Sequence, residues 1–452
     1  MNVKTLLIIV CCYVVFFVAI PPFQLNDEPD HFQYVFWLAR GVFPKVPKAT
    51  GMPLFDKNIS TIYNVMEVAS NDNNLPNFSK IKTAREQNIY FNTLYKSTPL
   101  TYQAHHPPLY HFLGSLLFRI SDTLFHNLIF IYYSVRLIST AFYFLTIYVV
   151  WHISIQLIKN KKIADYLTVV FAINPVALKM GIAINPDIAA TALALSILLA
   201  FLAVRKKAIT KDFLILITVF LTIGTYVKFQ NIVFFPFAFL VFLLRGVQEK
   251  KVRTYIIKGF MVCLSGLMLF LPWMIHSYIT TQSITPSSVV YTFFCTQNNP
   301  QFTWYVIPFQ ALLEFRHPIS HFAGFVGWGE PYPFKPFFIM YTIIFSLFLV
   351  LGIMKTITSK QKEWITYLIP HMTFILLFFL GVSLTYKINR YSCDIQGRYL
   401  LTALFPFFLL IFQGISSIFK TKRETVAHIM FLFSIWQFLF ILCYVLIPRY
   451  YV

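Results

Sequence analysis

Charged residues are scarce in this chain of 452 residues: Asp, Glu, Lys and Arg together make up only 12% of it. A soluble globular domain carries about 25% charged residues. Hydrophobic residues account for 58%, more than a soluble protein of this size can bury. The shortage of charge excludes a soluble multidomain protein and predicts an all-α polytopic membrane protein, a single integral membrane domain over residues 1–452.

Acidic residues are the rarer charged class, with 17 Asp and Glu against 37 Lys and Arg. In a soluble protein this excess would suggest nucleic acid as a partner. Here the cations gather in short loops between apolar runs, where they suit anionic lipid on one side of a bilayer. No GxxxxGK[ST] or GxGxxG pattern occurs, so nothing indicates a nucleotide site. We expect a lipid bilayer and no nucleic acid as partner.

Cysteine is also sparse, and the six cysteines form no spaced framework. Four lie inside apolar runs and are expected to be inert packing residues: Cys11, Cys12, Cys263 and Cys443. Cys295 and Cys393 fall in predicted external loops. Two residues set no pattern, so the sequence leaves open whether they pair.

Apolar runs long enough to approach a bilayer crossing of about 20 residues are plentiful. The first, Thr5–Ile20, is followed by Pro21-Pro22 and by no small-residue cleavage site, so we expect a retained helix rather than a signal peptide. The other ten predicted spans are 128–158, 163–179, 188–204, 212–227, 231–245, 259–277, 337–354, 364–385, 399–418 and 426–447.

The basic loops predict the orientation of these about 11 transmembrane helices. If all five basic loops are cytoplasmic, strict alternation places the N-terminus inside and two large segments outside, 24–127 and 278–336. The apolar stretch Pro107–Ile120 cannot then cross as well, so it should lie at the membrane surface. The first external loop would therefore contain juxtamembrane helices.

An acidic motif follows the first helix. Asp27, Glu28, Asp30 and His31 occur within five residues, at the predicted outer mouth of that helix. Capping of the next helix would account for one acid but not for three acids and a histidine. We therefore favour a catalytic or substrate-binding role for this motif.

A second polar motif, His105-His106-Pro107-Pro108, precedes the predicted surface helix. The prolines fit a rigid entry turn, and the histidines could also meet a phosphate or a metal. The residues alone do not decide between these roles.

A third group lies at the outer start of the tenth span and includes Gln396, Arg398 and Tyr399, preceded by Lys387 and Arg390. Cations are disfavoured on this side, and an outward arginine suits a lipid phosphate held at the interface. The alternative is a snorkelling anchor.

Isolated candidates complete the set. Lys228 and Arg136 are further outward cations that could reach a phosphate. Trp328 and Glu330 lie in a stretch rich in glycine and aromatic residues that could stack on a sugar or belong to the interfacial aromatic belt. For Asp187, at an outer helix start, we expect helix capping.

Together these motifs resemble a known class. Asp27-Glu28-x-x-His31-Phe32 is similar to the first-external-loop motif of the GT-C superfamily of membrane glycosyltransferases, with a close variant in the protein O-mannosyltransferases. His106-Pro107-Pro108-Leu109 resembles the His-Pro-Pro-Leu of the mannosyltransferases. The order of a surface helix and then a span bearing Arg136 and Ser139 also resembles theirs. Five motifs in order, from Pro21–Gln24 to Gln396–Tyr399, resemble an uncharacterised bacterial branch of multi-pass membrane proteins, a domain of unknown function.

The resemblance implies a glycosyltransferase that moves a sugar from a polyprenyl-phosphate donor, such as an undecaprenyl phosphate sugar, with inversion. Its acceptor would be a cell-surface polysaccharide, teichoic acid or glycolipid on the outer face of a bacterial plasma membrane. Asp27 would be the catalytic base, with Glu28 beside it. Donor phosphate binding falls to Arg398, Lys387, Arg390, Lys228, Arg136 and His106, and substrate binding to Asp30, His31, His105, Gln396, Tyr399, Trp328 and Glu330.

Several alternatives stay open. Glu28 or Asp30 could hold Mg²⁺ or Mn²⁺, although so many cations make metal-free action reasonable. A rival enzyme would be a polymerase of lipid-linked oligosaccharides, and a rival of another class a glycolipid flippase or transporter. A transporter should place charges at mid-bilayer on discontinuous helices and often shows repeats. The ionisable residues here lie at span ends and no repeat is visible, which favours the enzyme.

Overall fold

The structure is a computed structural model, which describes residues 1–25, 27–46, 99–281, 284, 296–297, 322, 335–359, 361, 363–388, 391–392, 397–419 and 422–448. Fourteen α-helices occur in these ranges: α1 Val3–Ala19, α2 Glu28–Ala39, α3 Leu109–Phe125, α4 Leu128–Ile158, α5 Lys161–Ala172, α6 Pro175–Ile182, α7 Asp187–Ala203, α8 Lys211–Val227, α9 Phe234–Gln248, α10 Val252–Thr281, α11 Lys335–Thr358, α12 Ile369–Ile388, α13 Leu401–Ile418 and α14 Arg423–Ile441.

Shorter elements connect these helices. Three are 3-10 turns, at Tyr102–His105, Phe229–Val233 and Gly397–Leu400, and two are π-helical turns, at Trp364–Leu368 and Leu442–Leu446. The strands described are β1, Thr296–Gln297, and β2, Tyr391–Ser392, which pair antiparallel with Thr296 opposite Ser392.

The all-α polytopic membrane architecture is confirmed, and each of the eleven predicted spans falls on a helix. In the described part of the chain, seven helical segments are long and apolar enough to cross a membrane, and one bent pair of helices could form an eighth crossing. The helices α1 and α7 are apolar but shorter. The count of eleven and the orientation stay predictions.

The predicted span 163–179 is in fact broken. Helix α5 ends at Ala172 and α6 begins at Pro175, with a bend of 65° between them. The side chain of Asn174 accepts the N–H of Val176, and Pro175 occupies the first helical position. A side-chain cap followed by proline starts a new helix, which explains the break. The bend leads the chain through Ala183–Asn185 before α7 begins.

The predicted surface helix is present as α3, which extends to Phe125 rather than ending at Ile120. It packs against α2 on one side and α4 on the other. Its opposite face carries an exposed apolar stripe at four-residue spacing: Phe112, Leu116, Ile120 and Leu124. One face of α3 therefore meets the protein while the other suits lipid, and its placement at the membrane surface stays a prediction.

An aromatic cluster fixes α2, α3 and α4 to one another. The ring centroid of Phe32 lies 5.6 Å from Phe23, 5.6 Å from Tyr132 and 5.9 Å from Phe118. These side chains are fully buried or nearly so. Because aromatic rings carry large buried areas, the cluster holds the start of α2 rigidly beside the end of α1.

The second half of the chain forms a close helix pair, α11 against α13. A Cβ added at Gly352 would collide with the backbone of Leu410, and one at Gly414 would collide with the backbone of Phe348. Only glycine permits this approach of the two backbones.

Candidate active site

Asp27 occupies the position before α2 and adopts a left-handed backbone conformation, with φ 59°. Asp tolerates this region better than most residues. Its side chain makes no capping bond to the helix, contrary to the capping alternative. Its Oδ2 instead accepts a hydrogen bond from Nη2 of Arg398, which lies 371 positions further along the chain. The side chain of Asp27 is 21% exposed, so the carboxylate remains accessible.

The ion pair is extended by a second acid, Asp187, and a second cation, Lys228. Nε of Arg398 lies 3.8 Å from Oδ2 of Asp187, whose Oδ1 is ion-paired with Nζ of Lys228. Lys228 and Arg398 each lie 5.2 Å from the ring centroid of Tyr399. The structure therefore brings Asp27, Arg398, Lys228 and Tyr399 together, as the sequence predicted.

Asp187 is the residue that sequence reasoning assigned wrongly. The helix is capped by Asn185, whose Oδ1 accepts the N–H of Asp187, so the carboxylate of Asp187 is not needed for capping. It is buried and serves as the counter-ion that Lys228 and Arg398 share. The sequence does hold a signal for this role: Asn185-Pro186-Asp187 contains two residues that could cap the helix, and only one of them is needed.

Glu28 and Arg136 form a separate, fully buried pair. Nε and Nη2 of Arg136 donate to the two carboxylate oxygens of Glu28 at 3.0 and 3.1 Å, and its other donors reach the carbonyls of Ile20 and Pro21. Oε1 of Glu28 also accepts the N–H of Ile184. Both side chains are thus occupied, which corrects the expectation that Arg136 meets a phosphate and that Glu28 acts on substrate or metal.

A neutral hydrogen-bonded chain lies beside this pair. The hydroxyls of Tyr110 and Ser139 are 2.6 Å apart, and Ser139 donates to the carbonyl of Ala183. The Tyr110 hydroxyl also accepts the N–H of Asn185. The non-helical stretch after α6 is therefore tied to α3 and α4, directly beneath the start of α2.

Four histidines lie close together around His31 of α2. Nδ1 of His31 lies 2.9 Å from Nε2 of His111, and the ring of His106 stacks 5.9 Å from that of His31. His105 lies against His106, with ring centroids 4.0 Å apart. Burial lowers the pKa of His31 and His106 well below the ordinary value and that of His111 to about 3. His31, His106 and His111 are therefore neutral at physiological pH, and His111 is a member that the sequence does not reveal.

Asp30 lies one helical turn after Asp27. Burial, together with the negative charge of Asp27, raises the pKa of Asp30 to about 8. Asp30 is therefore mostly protonated at neutral pH. The two aspartates of the motif therefore differ: Asp27 is ion-paired with Arg398, whereas Asp30 is buried and its Oδ1 has no hydrogen-bond partner among the described residues.

Other predicted site residues lie outside the described residues: Arg390, Gln396, Trp328 and Glu330. The same holds for the side chain of Lys387 and for Cys295 and Cys393. In the described part, Cys11, Cys12, Cys263 and Cys443 are free. No group of three or more His, Cys, Asp or Glu side chains among the described residues is arranged to hold a metal ion.

Fold and site together define a helical multi-pass membrane protein that collects a carboxylate, two cations and a set of neutral histidines around the start of α2. The chain belongs to the DUF2142 family of predicted membrane proteins, whose model matches residues 10–411. The resemblance to an uncharacterised branch of membrane proteins is thereby confirmed.

Among curated proteins, none matches this chain. It is similar in structure to ArnT from Cupriavidus metallidurans in the apo state, with a TM-score of 0.46 and 11% identity over 91% of this chain. The match spans 59% of that longer chain, so the activity of the longer protein is only a proposal for this one.

Proposed function

We propose that this protein is a membrane glycosyltransferase that moves a sugar from a polyprenyl-phosphate-linked donor to an acceptor hydroxyl at the outer face of a bacterial plasma membrane. The acceptor would be a surface polysaccharide, teichoic acid or glycolipid. The observation that carries the proposal is the contact of the accessible Asp27 carboxylate with Arg398, within a buried group of two cations. The GT-C-like motifs around Asp27 and His106 supply the reaction class.

The arrangement fits a displacement with one base. The acceptor oxygen attacks the anomeric carbon, its proton passes to Asp27, and the bond from that carbon to the phosphate oxygen breaks. The leaving phosphate carries its charge away without protonation, because Arg398 and Lys228 stabilise it. Attack opposite the leaving group inverts the anomeric carbon. Asp187 keeps both cations in place, and Lys387, Arg390 and Tyr399 remain proposed contributors.

The pair Glu28–Arg136 has a positioning role in this proposal. Glu28 follows Asp27 directly, and its carboxylate is fixed by Arg136 and by the N–H of Ile184. Fixing Glu28 holds the first turn of α2, and hence the backbone of Asp27, relative to α4 and the stretch after α6. We therefore assign the catalytic role in this proposal to Asp27 alone.

One observation favours a glycolipid transporter as a second candidate. The broken span α5–α6 is a discontinuous helix, and it carries the buried Lys179. Discontinuous helices with intramembrane charge are typical of transporters. In this protein, however, the break delivers Ala183 and Ile184 to Ser139 and Glu28, which is a scaffold role beside the candidate base.

The test measures release of free polyprenyl phosphate from radiolabelled polyprenyl-phosphate hexoses by purified protein, with and without EDTA. We expect turnover by the wild type and a loss of at least about 100-fold in Asp27→Asn, the lower end for an acid–base residue. Full activity of Asp27→Asn would contradict the base assignment. No turnover of any donor, with labelled lipid still moving between leaflets of proteoliposomes, would favour the transporter.

A further inference from the structure

The segment from Leu100 to His106 is fastened against α2 by three side-chain hydrogen bonds. Gln33 donates to the carbonyl of Leu100 at 2.5 Å, Thr101 to the carbonyl of Asp30 at 3.2 Å, and Tyr34 to the carbonyl of His106 at 3.3 Å. The turn Tyr102–His105 therefore has a fixed position beside α2.

Polar atoms without a partner are concentrated at this junction. Oδ1 of Asp30, Oε1 of Gln103 and Nδ1 of His106 are buried, yet none has a hydrogen-bond partner among the described residues. Gln103 is 1% exposed and Asp30 is 9% exposed. Because more than 90% of buried polar groups in proteins are paired, three such atoms on adjoining elements indicate groups that a ligand completes.

The chemistry of these atoms differs from that of a phosphate site. A phosphate oxygen only accepts hydrogen bonds and carries negative charge, so it suits Arg398 and Lys228. Asp30, Gln103 and His106 combine acceptors and donors and carry no positive charge of their own, since burial, with His105 and Lys228 nearby, lowers the pKa of the His106 ring well below its ordinary value. Hydroxyl groups both donate and accept, so this combination suits a polyhydroxylated, uncharged ligand.

We propose that Asp30, Gln103 and His106 form the subsite that binds the hydroxyl groups of the donor's sugar. This inference rests on the proposed function and deepens it. It moves His106 from the phosphate to the sugar and adds Gln103, which no motif indicated. Asp30 lies one helical turn along α2 from Asp27, so the subsite is adjacent to the proposed base.

The test compares the affinities for two ligands in the absence of an acceptor: undecaprenyl phosphate and its hexose-linked form, with glucose, mannose and galactose each tried. We expect the wild type to bind one hexose-linked lipid more tightly than the bare lipid. Gln103→Leu should weaken binding of that lipid about tenfold, the value of roughly one buried hydrogen bond, and change binding of the bare lipid less than threefold. His106→Phe should do the same, and His106→Asn should restore part of the loss.

Gln413→Leu is the matched control, because Gln413 is a buried glutamine near the far end of α13. It should bind both lipids as the wild type does. Equal weakening of both ligands in Gln103→Leu and His106→Phe would overturn the sugar subsite, as would a wild type that binds every hexose-linked lipid no better than the bare one. A wild type that binds none of these lipids would overturn the proposed function and the subsite with it.

Discussion

Asp27 and Glu28 are neighbours in the chain, yet their side chains meet entirely different surroundings. Asp27 is partly exposed and contacts Arg398, whereas Glu28 is completely buried against Arg136. The left-handed conformation of Asp27 and the start of α2 at Glu28 turn the two side chains apart. At the scale of single residues, one carboxylate is therefore available for chemistry and the other holds the fold.

The buried pair predicts a stability effect. Glu28→Gln or Arg136→Met alone leaves an uncompensated buried charge, which costs about 3–5 kcal/mol, and should lower the thermal unfolding midpoint in detergent. The double variant Glu28→Gln, Arg136→Met should recover much of that midpoint, because neither charge remains. Asp27→Asn is the neighbouring comparison and should lower the midpoint less, because Arg398 keeps Asp187 as a second acid. An unchanged midpoint in Arg136→Met would contradict the role of the pair.

The counter-ion role of Asp187 predicts a pH effect. Burial lowers the pKa of Lys228, and Asp187 opposes that lowering. Asp187→Asn should therefore lower the Lys228 pKa further, so that the amine loses its proton at lower pH. We expect the alkaline limb of kcat/KM for hexose transfer to move to lower pH, whereas Asp187→Glu keeps it near the wild-type position. An unmoved limb in Asp187→Asn would argue against Lys228 as a charged phosphate ligand.

The charged residues of the motif and the outward cations could be found from the sequence, but His111, Gln103 and the pairing of the charges could not. The acids of the motif and the outward cations stood out because charge is so rare in this chain. Which acid pairs with which cation depends on contacts between distant positions, such as Glu28 with Arg136 and Asp27 with Arg398. Charge pattern alone carries no information about such pairs, so Arg136 was assigned to phosphate and Asp187 to capping.

At the scale of elements, hydrophobic length was a good guide, since every predicted span falls on a helix. It failed where a local signal interrupts an apolar run. Asn174-Pro175 ends one helix and caps the next inside the predicted span 163–179. Hydropathy averages over such a pair, whereas capping chemistry, which is local, would have located the break.

The stripe on α3 predicts how this helix meets the bilayer. A helix that lies at the interface keeps Phe112, Leu116, Ile120 and Leu124 at one depth. A spanning helix would change depth by about 18 Å over these twelve residues. With the native cysteines replaced, spin labels at the four positions should report equal, shallow depths in nanodiscs.

Leu269 of α10 is a lipid-facing control from a spanning helix, since it is exposed. A label at Leu269 should differ in depth from labels at Ile257 and Tyr278 on the same helix. A steady depth gradient from Phe112 to Leu124 would contradict the interfacial placement and would reverse the side of every later loop.

At the scale of the whole molecule, the charged groups form two layers. Along α4, the helix rises about 33 Å from Arg136 to Ile158, close to the roughly 30 Å thickness of the bilayer hydrocarbon. The site lies at the Arg136 end. The Ile158 end carries other ion pairs, Arg205–Glu363 and Lys162–Glu424. The interior between them is largely apolar, so the site and the basic loops should face opposite sides of the membrane.

This separation predicts the side of the membrane that the candidate active site faces. On a background without native cysteines, Asp122→Cys lies after the site on α3, and Lys207→Cys lies in a basic loop; both positions are at least partly exposed. A membrane-impermeant maleimide applied to intact cells should label Asp122→Cys and spare Lys207→Cys, because basic loops stay cytoplasmic. Inverted vesicles should give the reverse pattern. Labelling of Lys207→Cys in intact cells would place Asp27 on the cytoplasmic side. An outward-facing polyprenyl-phosphate sugar could not reach Asp27 there, so this result would contradict the proposed acceptor at the cell surface.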